Sequence, residues 1–402
     1  MVSGGRAQTT SPPPVRRGQD RARCAANSPL DAVHRSARIV ADELTVTTEF
    51  EGSNPQSAEG VIREGPACFL IVPTQEEDNP NYKFRMDTLV VNRAAEPRQV
   101  TLRVDWREPV YMEPRHHLFV RSADHWERVP GEVDGTVVTV RFAAPPGQTW
   151  VSLNPKYSYS DHLADLDRLR ADGRAVVSRI GRSAEGRDIF AIAVAPRESP
   201  NDERPVVLVE AGNHPYETSG AYCIDGMLAW LLGEQNDWPA RVALHFIQVS
   251  NPDGVAGGWC RLTGPGGVDV CHEFGTSSDP TCTALRSYME WLKPTVYVNL
   301  HGWMYNDLDN FRYGDAEAAR FFLPCLLGEV GGPVWRWRIE NPMPEQPPVT
   351  NTWYARARLG CRSMGFDIAW NRRRDQDMRE LGRRLLEAAC EAATSLPRLS
   401  LA

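Results

Sequence analysis

Near residue 152 the hydrophobic period of the chain changes, and that change limits the possible folds more than any single motif does. From about 38 to 152, segments such as "TVTTEF", "ACFLIVP", "RQVTLRVDW", "TVVTVRF" and "TWVSLN" alternate apolar with polar side chains, between breaks rich in Gly, Pro, Asn and Asp. Period-two alternation buries one face of a strand, and many short strands at regular spacing predict an all-β sandwich. Beyond it, "YSYSDHLADLDRLRAD" sets Leu163, Leu166 and Leu169 on one helical face behind Ser160 or Asp161 as the cap. Apolar runs "PVVLVEA", "VALHFIQVS", "TVYVNLHG" and "SMGFDIAW" then interleave with helical patterns at about 219–233, 281–293, 315–328 and 374–395. That interleaving predicts an α/β fold, a mixed sheet flanked by helices. The expected organisation is a disordered tail over 1–37, a β-sandwich over 38–153 and an α/β domain over 154–402.

Bulk properties remove several function classes. A net charge of -7 argues against general nucleic-acid binding, which needs a basic surface to displace phosphate counterions. The tail is rich in Pro, Arg and Ser and carries no apolar signal core. No apolar run reaches the length of a membrane span, so no membrane partner is expected. Nine scattered cysteines, an odd number set mostly in apolar stretches, suit reduced thiols and a cytoplasmic location. The even spacing of Cys260, Cys271 and Cys282 lacks the paired C-x-x-C of a structural zinc site. His116, His117 and His125 read as surface or strand-edge residues, and His245 as a satisfied residue within a strand.

Strand ends sort the remaining histidines. In open α/β sheets, polar residues at the carboxyl ends of strands face the binding crevice. His214 in "GNHPYETSG" follows one buried-looking strand and His301 in "VYVNLH" ends another. Glu217 stands three residues after His214, with Pro215 between them to oppose an ordinary helix. An isolated H-x-x-E is a weak signal, but two histidines and a carboxylate from strand ends can converge on one metal. Three protein ligands leave a fourth position open, as catalytic zinc requires.

Five segments in order, "IGRSAEGRDIFAI", "HPYE", "NPDGV", "GVDVCHEF" and "NLHG", resemble the M14 zinc metallocarboxypeptidases. The resemblance is particularly to their cytosolic branch, which carries a β-sandwich before the catalytic domain. The resemblance implies a zinc carboxypeptidase-like catalytic domain over 154–402 with Zn2+ held by His214, Glu217 and His301. It also implies that Arg261, ten residues after Asn251, stabilises the oxyanion, and that Asp367 stands where the family has its glutamate base.

Two departures bear on the substrate. Asp367 is one methylene shorter than glutamate, and it reads equally as a carboxylate that ends its strand. The family's Asn-Arg clamp for a C-terminal carboxylate falls on Cys271 and His272, which cannot supply a bidentate pair of charge-assisted hydrogen bonds. Trp303, next to the His301 segment, and Tyr354 are further candidates for lining the substrate pocket; Arg356, Arg358 and Arg372 are candidate carboxylate contacts or surface charge. The expectation is a zinc hydrolase of an amide bond, a peptidase or deacylase using metal-bound water. Its partner is a peptide or small-molecule amide of specialised or modified type. The alternative is a zinc-binding pseudoenzyme or binding protein with the same fold.

Overall fold

The computed structural model describes residues 43–76, 85–107, 116–197, 202–233, 236–302, 310–327, 337–339, 349–370 and 373–401. The tail expected over 1–37, Trp303 and Arg372 lie outside the described residues.

The amino-terminal strands are β1 (Leu44–Thr47), β2 (Val61–Gly65), β3 (Cys68–Ile71), β4 (Asp87–Asn92), β5 (Arg98–Asp105), β6 (His117–Arg121), β7 (Glu127–Asp134), β8 (Val137–Ala144) and β9 (Gly147–Ser152). Among the described residues they form one nine-stranded sheet in the order β1-β4-β9-β6-β7-β8-β5-β3-β2. Alternation drives its shape: in β5, Val100, Leu102 and Val104 are buried between partly exposed neighbours, and Val138, Val140 and Phe142 do the same in β8. Val90, Leu118 and Val151 from one end of the sheet share a single core with Leu102, Val140 and Ile71 from the other. A continuous sheet whose two ends share a core has folded over on itself, here at β7, an arrangement in keeping with the expected sandwich.

The hinge strand β7, like β2, was absent from the sequence expectation. β7 carries Pro130 and is largely exposed, so it offers no apolar alternation to read. His117 corrects another expectation, being fully buried with Nδ1 3.0 Å from the Arg128 guanidinium. His125 is exposed beside Glu127 as anticipated.

After the sandwich come α1 (Tyr159–Asp172), β10 (Ala175–Arg182), β11 (Asp188–Val194), β12 (Val206–Ala211), α2 (Ser219–Gly233), α3 (Trp238–Arg241) and β13 (Ala243–Ile247). Then follow α4 (Pro252–Gly257), α5 (Pro280–Leu292), β14 (Val296–Gly302), β15 (Asn310–Gly314), α6 (Ala316–Leu327), β16 (Trp337–Ile339), α7 (Asn351–Leu359), β17 (Arg362–Ile368) and α8 (Asp375–Ser395). The cap of α1 is Ser158, in a reciprocal capping box with Asp161, instead of Ser160 or Asp161. The second sheet runs β10-β11-β13-β12-β14-β17-β15-β16 and is mixed, with β13, β12, β14 and β17 parallel.

Strand β12 shows why this sheet is covered on both faces. Val207, Val209 and Ala211 join a core built with α2, α6 and α8, while Val206 and Leu208 join a second core built with α5 and α7. A strand buried on both sides reads as a continuous apolar run, as "VVLVEA" does. Helices α2 and α8 approach closely at Gly382, where a Cβ would lie 2.0 Å from the Cys223 carbonyl oxygen.

Residues 38–402 make one compact unit, and the two sheets exchange side chains. Phe119 and Trp126 of the sandwich enter the α2/α8 core, while Tyr216 and Cys260 of the α/β part enter the sandwich core. Tyr216 stands between His214 and Glu217, so the loop of the candidate ligands is fastened at the seam of the two sheets.

Candidate metal centre

Because β12, β13, β14 and β17 run parallel, their carboxyl ends open on one edge of the sheet. His214 and Glu217 follow β12, Asn251 follows β13, His301 lies at the end of β14, and Asp367 pairs in register with His301 from the end of β17. His214, Glu217 and His301 are all buried, and their donor atoms cluster within 4.8 Å of one another. The two carboxylate oxygens of Glu217 each face a histidine: Nδ1 of His214 at 2.9 Å and Nδ1 of His301 at 2.8 Å. Gly302 makes this approach possible, since a Cβ there would lie 2.8 Å from the Glu217 Cα. Its N–H donates to Glu217 Oε2 at 3.1 Å.

Each histidine is also held from behind. Nε2 of His214 lies 3.1 Å from Asp269 Oδ1, and Nε2 of His301 lies 2.6 Å from Asn299 Nδ2. Asp269 Oδ1 accepts the N–H groups of Cys271 and His272 as well. Asn299 donates to Asn351 at 3.0 Å, Asn351 to Asn213 at 3.0 Å, and Asn213 to the fully buried Glu210 at 2.6 Å. Such outer partners fix the ring orientation of metal-binding histidines.

The electrostatics favour a cation among these donors. Burial alone would lower His214, but the carboxylates of Glu217 and Asp269 outweigh it and lift the imidazole to about 9. Burial raises Glu217, and the two histidines overcome this to hold its carboxyl well below the usual range. A negative surround that stabilises a proton on His214 also stabilises a divalent cation beside it, and His-Glu-His is a zinc donor set.

A second grouping, His214, Cys271 and His272, also brings potential ligands together. Arg261 fills that place: its Nη2 is 3.2 Å from His214 Nε2, 3.1 Å from His272 Nδ1 and 3.3 Å from Asp269 Oδ2. Cys271 is buried, with Sγ 3.4 Å from Asn351 Oδ1 and 3.7 Å from His301 Nε2, and burial followed by the Asp269 charge pushes its thiol far up. His272 is exposed and stacks on His214 with ring centroids 5.7 Å apart. Asp367 is half-buried near the strand end with its carboxyl turned inward from solvent, and that desolvation pushes the carboxyl up to about 7.

Tyr354 is not brought to the ligands. Its ring packs on Phe274 at 5.4 Å and its hydroxyl donates to Glu290 of α5. Arg356 pairs with Asp315, and Arg358 is exposed. His245 bonds the Tyr288 hydroxyl at 2.8 Å, as a satisfied strand residue should. Sequence reasoning missed Glu76, Asp269, Asn299, Asn351 and Tyr313. Asp269 and Asn299 did leave a signal, each being a polar residue within a motif or apolar strand next to a candidate ligand. Tyr313 packs its ring over Gly365, near the Asp367 charge.

The family model of zinc carboxypeptidases, peptidase M14, matches residues 162–269, a segment that contains His214, Glu217, Arg261 and Asp269. The fold is similar to a metallo-carboxypeptidase from Burkholderia cenocepacia, with a TM-score of 0.70 at 18% identity over 86% of this chain and 97% of that one. It is equally similar to a metallo-carboxypeptidase from Pseudomonas aeruginosa, with a TM-score of 0.70 at 15% identity over 87% of this chain and 98% of that one. That protein was solved in complex with (2-guanidinoethylmercapto)succinic acid. Carboxypeptidase A from Helicoverpa armigera matches less of the chain, 60%, with 75% of its own length, at a TM-score of 0.50 and 17% identity. The share aligned with the two bacterial structures is too large for residues 154–402 alone, so the likeness extends into the β-rich part. The family match supports a zinc peptidase, and Zn2+ is the cofactor it implies.

Proposed function

We propose that this chain, carrying a zinc carboxypeptidase segment over 162–269, hydrolyses an amide bond in a specialised peptide or acylated small molecule. The carrying observation is the pair of Nδ1 atoms turned onto the two oxygens of one buried carboxylate at the parallel strand ends. In this reading His214, Glu217 and His301 hold Zn2+. Zinc, when bound, supplies a Lewis acid that polarises a carbonyl and makes water a better nucleophile.

The protein's own groups do the rest. Arg261 Nη2 carries fixed positive charge beside His214 and stabilises the carbonyl oxygen as it becomes anionic. Asp367 takes a proton from the attacking water and returns it to the leaving nitrogen. A carboxyl pushed up to about 7 is well placed to do both near neutral pH.

Substrate selection follows from Cys271 and His272. The thiol is directed at Asn351 and His301, and the imidazole leans on Arg261 and Asp269, so neither offers a fork of donors to a terminal carboxylate. We therefore place C-terminally modified peptides and acylated amines that lack a free α-carboxylate ahead of ordinary peptide C-termini as substrates. The amino-terminal sandwich and the cytosolic-type arrangement of two domains, 38–153 and 154–402, belong to the same proposal.

The test is a screen of C-terminally modified peptides and acylated amines, with N-acetyl amino acids as the free-carboxylate comparison, using zinc-loaded wild type and Asp367→Asn. Turnover should fall about 100-fold or more in the variant with zinc retained. Since the carboxylate is the active form, kcat/KM should drop as pH falls through a limb at or below about 7, a bound dication pulling it lower. Absence of turnover in zinc-loaded wild type across the panel would favour the metal-binding pseudoenzyme instead.

A further inference from the structure

The segment that carries Arg261 is held by the other sheet. The segment 252–262, made of α4 and the turn after it, follows β13 and crosses the seam, where the amino-terminal side meets it with buried polar side chains. Arg85, itself paired to Asp87 at 2.8 Å, donates from Nη1 to the carbonyl oxygens of Trp259 at 2.8 Å and Gly254 at 3.3 Å. Asn54 Nδ2 donates to the Gly258 carbonyl oxygen at 3.1 Å, and the Gly52 N–H to that of Ala256 at 2.8 Å. These contacts hold the carbonyl side of the loop.

Glu76, in the connection between β3 and β4, holds its N–H side. The residue is 3% exposed, and its carboxylate accepts from three successive backbone N–H groups. They are those of Cys260, of Arg261 at 2.9 and 3.0 Å to its two oxygens, and of Leu262 at 3.0 Å. Burial pushes this carboxyl up to about 7 while the N–H groups of Arg261 and Leu262 favour its charged form, and three N–H donors on one buried carboxyl fix the backbone that carries them. Cys260 next to it is itself part of the sandwich core. The backbone on both sides of Arg261 is thereby set by a side chain 185 positions away in sequence.

We propose that Glu76 is a positioning residue for Arg261. Through it, the amino-terminal sheet determines where the guanidinium stands at the metal centre. Glu76 touches neither the candidate ligands nor the place of a substrate in this arrangement; it acts through the backbone of the residue that does. A displacement of one ångström at a charge-stabilising group is enough to cost on the order of 100-fold in rate. The kinetic part of the proposal rests on the hydrolase reading above, whereas the positional part does not.

The experiment uses the full-length zinc-loaded protein and the variants Glu76→Gln and Glu76→Ala. Glutamine keeps one acceptor oxygen and gives a folded comparison if alanine disturbs the fold. Amide hydrogen exchange at Cys260, Arg261 and Leu262 should quicken about tenfold or more in Glu76→Ala and less in Glu76→Gln. Protection in β12 and β14 and zinc content should stay at wild-type levels. With the best-turned-over member of that substrate panel as probe, kcat should fall about 10- to 100-fold in Glu76→Ala, with partial recovery in Glu76→Gln. In an Arg261→Ala background the same change should add less than about threefold, because both then act on one group. Unchanged exchange at the three amides, or full multiplication of the two kinetic losses, would overturn the proposal. If no substrate is turned over, the hydrolase reading fails while the exchange result still decides the role of Glu76.

Discussion

The rear and the front of the candidate metal centre are built differently. At the rear, His214, Glu217 and His301 are buried, and every donor has a backing partner in Asp269, Asn299 or the Gly302 N–H. At the front, Cys271, His272 and Asp367 depart from the zinc carboxypeptidase pattern, and His272 is exposed. Under the proposed function, a site with a buried, backed rear and an altered front holds its metal and changes what it acts on. Buried polar networks tolerate no partial loss, because each unpaired group keeps its full desolvation cost.

Weakening the rear should have the larger consequence. Asp269→Asn removes the charge behind His214 while keeping its shape, and zinc affinity should fall about 10- to 100-fold in a competition titration with a chelator. Unchanged affinity would mean that the rear network has no bearing on the metal. Restoring the front tests the other half: Cys271→Asn combined with His272→Arg should strengthen binding of peptides with a free C-terminal carboxylate by about tenfold, the scale of one charge-assisted hydrogen bond. If wild type already binds such peptides as tightly as the double variant, the substrate reading is wrong.

The sequence made the rear legible in part. His214 and His301 could be found because each ends an apolar run, and a polar residue there faces a crevice whatever the loops do. Helices α2, α5, α6 and α8 fall within a residue or two of their expected spans, since each has an apolar face over a covered sheet. Strand β7 escaped notice because it is exposed at the fold of the sheet, and exposure erases the alternation on which strand reading depends. His117 looked like an edge residue but is buried against Arg128, a pairing that local pattern does not encode. Glu76 was unreadable for the same reason at longer range, its partners being main-chain N–H groups brought up by the packing of two sheets. Tyr354 was a candidate only by a loose resemblance to a tyrosine of the family, and the helix it sits on turns it toward α5.

The most direct test of the central claim is metal content by elemental analysis of purified protein, wild type beside His214→Ala, each after zinc reconstitution and desalting. The account predicts about one zinc per wild-type chain and little or none in the variant, because the open site rests on three protein ligands. A wild-type protein that retains no zinc, or a His214→Ala protein that retains as much, would contradict it.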